Sequence, residues 1–197
     1  MKILVLFLIP FCISPVAFSQ KSYRDSIHAY FTNYTETHDV ISGADKQFFR
    51  FFEPDASFRV TGQFQKATAS NWFKMPTSGP VKKTFRLYGK VSFMLHDSAL
   101  SLNIYQSQSL LEDDQYKDYL FLPFTDATTG NESYSTGRYL DFRIKDIQNN
   151  QLEIDFNKAY NPSCAYVSGK YNCPVPPLEN NLPVAIRAGE MNFAKSH

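Results

Sequence analysis

The residues with the widest chemical scope lie between Asp126 and Glu190. Five of the carboxylates there are candidates for a working pair: Asp126, Asp141, Asp155, Glu179 and Glu190. Any two of them facing across a cleft would suit general acid–base work of the kind that cleaves glycosides. Arg138 shares strand parity with Leu140, Phe142 and Ile144 and so points toward their apolar side. An inward arginine needs a carboxylate partner. Asp126, Glu179 and Glu190 are the candidates, and the pair would be either a structural bridge or an anion-holding site. The loop from Thr125 to Ser133 adds hydroxyls and amides, Thr128 among them. With Gly130 it is either a set of local side-chain turns or a loop presenting polar groups to a ligand. Asn157, Asn161 and Asn180 complete the polar set expected to bind a ligand.

Other chemistries find little support. No GxSxG elbow occurs. His28 and His38 fall in a helical region, and His96-Asp97 reads as a turn. No phosphate loop, dinucleotide fingerprint, HExxH or calcium loop is present. The sequence therefore gives no reason to expect a metal or another cofactor. The charge is close to balanced, with 20 Lys+Arg against 19 Asp+Glu, which leaves no basic excess for a nucleic-acid partner.

Residues 1–19 read as a secretory signal. Lys2 supplies the positive start, Ile3 to Phe11 the apolar run, and Ala17-Phe18-Ser19 the small residues before a cut at Gln20. Cys12 belongs to the discarded segment. No later stretch approaches the roughly twenty apolar residues of a membrane span. The expected location is secreted, in the periplasm. In that oxidising compartment Cys164 and Cys173 should form a disulfide, worth about 2–3 kcal/mol on a loop-entropy model.

Residues 20–197 have the size of a single domain. Region 22–53 is read as helical. Ser22 caps a helix whose Tyr23, Ile27, Tyr30, Phe31 and Tyr34 form a core-facing stripe, and a second short helix runs between Ser42 and Pro54. From 57 to 190 the period falls to two. Phe58, Val60 and Phe64 alternate with Arg59, Thr61 and Gln63, and a hairpin turns at His96-Asp97-Ser98. The expected fold is mainly β: an antiparallel sheet, sandwich or barrel-like body with one or two N-terminal helices.

A further hairpin is read across Gln148-Asn149-Asn150. Parity pairs Phe142 with Phe156 and Ile144 with Ile154. It sets Arg143 opposite Asp155 and Asp141 opposite Asn157, making either a solvated face or the floor of a polar cleft.

These motifs resemble a known family. Phe52-x-Pro54, Thr77-Ser78-Gly79, Arg86-Leu87-Tyr88-Gly89, Pro123-Phe124-Thr125-Asp126, Gly137-Arg138-Tyr139-Leu140-Asp141, Asp155-Phe156-Asn157, Cys173-Pro174 and Ala188-Gly189-Glu190 occur in order. They resemble the bacterial family called domain of unknown function 1684, over about Ser42 to Glu190. The family pattern continues with Lys where this chain has Met191. The resemblance implies no assigned reaction and carries no catalytic residue. The residues leave three readings: a cell-envelope binding module with a polar pocket between segments 123–141 and 155–190, a carboxylate-pair hydrolase, or a structural envelope protein. The partner would be a small molecule or an envelope component.

Overall fold

The structure is a computed structural model, and it describes residues 15–195. Most of the segment read as a signal, with Cys12, lies outside them. Helix α1 spans Pro15–Thr37. Ser22 does not cap it, because the helix begins earlier and Ser22 is an exposed interior position. The expected stripe does face inward: Ile27 and Phe31 are buried, and Tyr23, Tyr30 and Tyr34 are half-buried beside them. The second helix is a 3-10 segment, Gly43–Phe48.

Seven strands follow among the described residues: β1 (Arg59–Lys66), β2 (Phe73–Met75), β3 (Lys83–Leu95), β4 (Ser98–Ser107), β5 (Tyr119–Phe124), β6 (Arg138–Arg143) and β7 (Gln151–Asp155). They form one antiparallel sheet in the order β6-β5-β4-β3-β1-β7, with β2 added beside β3. The sheet curls into a half-barrel. The expected turn at 96–97 joins β3 to β4, with Leu95 opposite Ser98. Leu102, Ile104, Leu120, Leu122, Leu152 and Ile154 are fully buried on the inner face. Burying such a side chain is worth about 1.5–3 kcal/mol, so a one-residue slip of any strand would be costly.

The hairpin read from 138 to 156 does not form. β6 pairs with β5, which places Arg143 opposite Tyr119, and β7 pairs with β1, which places Asp155 opposite Arg59. After Arg143 the chain leaves the sheet in a 3-10 turn, Ile144–Asp146, where Asp146 accepts the Arg143 N–H at 2.7 Å. Asn149 and Asn150, both with positive φ, then deliver β7 to the opposite edge. The inward parity of both strands was read correctly, because Leu140, Phe142, Leu152 and Ile154 meet in one core as the sheet curls.

β3 carries a bulge at Tyr88. Leu87 pairs with Tyr105 and Gly89 with Ile104, so Tyr88 is the extra residue. Before it, Phe85 and Leu87 face outward; after it, Val91, Phe93 and Leu95 face the core. One strand thus serves two faces without a change in odd-residue parity.

The open side of the half-barrel is closed by the C-terminal segment. Ile186 and Ala188 enter the core, and Phe52 and Glu190 donate backbone N–H groups to Gly189 and Ala159. Gly189 has φ +77°, and a Cβ there would lie 2.5 Å from the Ala159 carbonyl oxygen. Only glycine fits that crossing.

Candidate functional site

The outer face of β4, β5 and β6 is the floor of a cleft of about 950 Å³. Odd-numbered residues build it: Tyr119 and Phe121 on β5, Tyr139 and Asp141 on β6. Asp141 lies opposite Phe121, and Phe121 opposite Tyr105, in one row across three strands. Tyr30 and Tyr34 of α1 form one wall. Tyr160 and Asn161 begin the other, a loop tied to the β6 edge by reciprocal Tyr139–Tyr160 backbone bonds. The Cys164–Cys173 disulfide closes that loop, as expected, and Tyr139 Oη donates to the Pro174 carbonyl beyond it. Lys83 and Thr84, at the start of β3, mark the far end.

Asp141 is the carboxylate of this floor. Tyr160 Oη donates to its Oδ2 at 2.6 Å, and the Tyr119 hydroxyl is also bound to it. Crowding by the surrounding rings pushes the carboxyl above the ordinary carboxylate value, while the two phenol hydrogen bonds pull it back. The side chain stays open to the cleft. Among the described residues no cation lies within ion-pairing distance of Asp141. Its neighbour Arg143 reaches Asp118 instead, at 2.6 Å. Burial first, and carboxylates second, hold the phenols high: Tyr30 is pushed up to about 12, and Tyr119 and Tyr160 further. All remain hydrogen-bond donors at neutral pH.

Glu190 sits behind the wall, fully buried. Tyr166 Oη donates to its two oxygens at 2.7 and 2.8 Å, Tyr34 Oη donates at 3.3 Å and the Asn161 backbone N–H at 2.8 Å. Burial outweighs these donors and pushes the carboxyl up to about 7. Asn161 spends its Nδ2 on the Met191 carbonyl, and its buried Oδ1 has no partner among the described residues. Met191 enters this network through its backbone.

Most of the other expected site residues make contacts within the fold. Arg138 does find Asp126, at 2.9 Å, with both side chains wholly buried. The same guanidinium donates to the carbonyls of Ile186, Ala188 and Glu190 and lies against the Phe124 and Phe52 rings. It is the clamp on the closing segment. Asp126 Oδ1 also accepts N–H groups of Thr128 and Ile186, and Thr128 bonds Ser133. Asn180 ties Asn103 to the Pro123 carbonyl. Glu179 is exposed on the surface. Asp155 caps the turn at Asn157 and takes the Tyr23 hydroxyl at 2.8 Å, and Asn157 holds Asp55.

Of the ten residues expected to bind, Asp141 and Asn161 line the cleft. Asp141 and Asp155 also share an adjoining groove of about 540 Å³, joined to the cleft at Tyr30 and Tyr160. The sequence reading missed the tyrosines and Lys83. The helix stripe was assigned whole to the core, although phenols at 30 and 34 leave their polar ends for a boundary. No group of three His, Cys, Asp or Glu among the described residues is arranged to hold a metal. No described helix is long and apolar enough to cross a membrane.

Known proteins give a family and a fold. A family model described as "Protein of unknown function (DUF1684)" matches residues 47–191. The chain is similar to an uncharacterized protein of Haloarcula marismortui whose structure was solved by solution NMR. The two are 26% identical with a TM-score of 0.63, over 87% of this chain and 95% of that one. No curated protein matches.

Proposed function

The chain belongs to the DUF1684 family of proteins of unknown function, and we propose that it is a non-catalytic binding protein of the cell envelope that holds a small molecule in the tyrosine-lined cleft. The observation that carries this reading is the chemistry of the lining. Tyr30, Tyr34, Tyr119, Tyr139 and Tyr160 are all held above the ordinary phenol value, chiefly by burial. They offer apolar ring surface, their hydroxyls are held by acceptors of the protein, and they exchange no proton near neutrality. The imidazole of the lining, His38, accepts the Ile41 N–H and packs edge-on against Phe49 and Tyr166. Such a lining recognises a ligand without transforming it. The disulfide fits an exported protein in an oxidising periplasm.

A carboxylate-pair hydrolase has one observation in its favour, the groove shared by Asp141 and Asp155. Asp155 is only 7% exposed, however, and its Oδ1 takes Tyr23 and Asn157. Binding is therefore the preferred function. It is tested by purifying the protein after export, denaturing it and identifying released small molecules by mass spectrometry. A stoichiometric compound, lost from a variant with the cleft blocked by Ser107→Trp, supports the proposal. An empty protein that also binds nothing from a periplasmic extract refutes it.

A further inference from the structure

We infer that the ligand of this cleft is a cationic amine whose ammonium group sits at Asp141; the inference rests on the cleft being a binding site. A carboxylate offers about four acceptor positions, and the phenols of Tyr160 and Tyr119 account for two at Asp141. Neither phenol neutralises the charge. Among the described residues no cation forms an ion pair with it; Arg143 acts on it from a distance, its close pair being with Asp118. The rings beside it strengthen the case. Tyr139 and Tyr160 meet at 88°, with centroids 5.8 Å apart, and so form a corner between floor and wall at the carboxylate's end of the cleft. Ring faces attract ammonium groups, and a carboxylate among rings does so more strongly than either alone.

The protein already seats an ammonium this way next door. Lys158 Nζ lies 6.0 Å from the Tyr30 ring centroid and 3.9 Å from Asp155 Oδ2, in the groove that adjoins the cleft. Asp141 lines the same groove, and Lys158 is paired there with Asp155 and makes no ion pair with Asp141. An anionic ligand group at this end would meet like charge. A neutral sugar would fill acceptor positions but leave the charge unpaired. The other charged lining residues are Asp39, Glu112, Lys82 and Lys83. Lys83 stands on β3, three strand spacings from β6, or roughly 14 Å. That is beyond the screening length of about 8 Å in physiological salt, so its repulsion of an ammonium at Asp141 is weak.

The test compares 2-phenylethylammonium with 2-phenylethanol, near-isosteres that differ in charge, by amide chemical-shift titration of the full protein. The expected result is that the amine shifts the amides around Asp141, Tyr139 and Tyr160 and binds about tenfold or more tightly than the alcohol. Asp141→Asn should remove that preference, so that the amine binds no more tightly than the alcohol. Equal affinities in the unmodified protein, amine shifts confined to another surface, or no amine binding would each overturn the assignment. The unmodified-protein comparison needs no variant to fold. A neutral or anionic compound recovered from the purified protein and mapped to the cleft would leave the binding function standing and refute only the amine. A cleft that takes neither probe nor any recovered compound would refute both.

Discussion

Glu190 should make the stability of this protein fall as pH rises through neutrality. The carboxyl is fully buried, takes donors from Tyr166, Tyr34 and Asn161, and has no cation in ion-pairing range among the described residues. Burial raises it from 4.5 to about 7. Between those values the folded protein binds more protons than the unfolded chain, so unfolding free energy declines with pH. The stabilisation is complete below about 4.5 and is lost as pH passes 7. A displacement of roughly 2.5 units at 1.36 kcal/mol each is worth about 3 kcal/mol. Urea unfolding at intervals from pH 5 to 9, on the natural protein and on Glu190→Gln, reads it. Other titrating groups act on both proteins, so the difference between the two curves isolates Glu190. Glu190→Gln should gain on the natural protein by about 2.5 kcal/mol between pH 5 and 9, because a neutral amide has no charge to desolvate. Parallel curves would refute the reasoning and mean that the donors around Glu190 already compensate its burial.

Arg138→Met leaves Asp126 charged, buried and unpaired, and should cost about 3–5 kcal/mol, seen as a melting point lower by roughly 6–20 °C. Adding Asp126→Leu should restore part of it, and a single-variant loss under about 1 kcal/mol would argue against the clamp. Gly189→Ala puts a Cβ against the Ala159 carbonyl at positive φ. It should cost at least about 1–3 kcal/mol in urea unfolding, and an unchanged midpoint would show that the crossing relaxes. Reducing Cys164–Cys173 should cost about 2–3 kcal/mol and speed proteolysis within the loop, whereas identical cleavage with and without reductant would mean that the Tyr139 contacts hold it alone.

Local regularities carried most of what could be read from the sequence. Period-two alternation gave the strands, His96-Asp97 gave the turn, and the inward parity of Arg138 led to Asp126 as a candidate partner. The failed hairpin shows where this information stops. Parity tells which face a residue occupies, and it was right for both β6 and β7. It says nothing about which strand lies alongside, and the curl of the sheet sends β7 to β1. Asp141 was picked out for a face shared with Asp155, and a groove does join them, but by way of Tyr30 and Tyr160 and not by strand pairing. The tyrosines escaped notice because a helical stripe of aromatics has one simple explanation, the core. Tyr30 and Tyr34 sit at its margin, where the same rings serve the cleft.

The bulge at Tyr88 has a consequence for how this protein can vary. Ahead of it, substitutions at Lys83, Phe85 and Leu87 reach the outer face; beyond it, substitutions at Val91, Phe93 and Leu95 reach the core. A lineage can therefore change the lining of the cleft without disturbing the packing that keeps the chain folded, though both are written on one strand. Loss of the single residue Tyr88 would end that independence, because every odd position on one side of the gap would change allegiance at once.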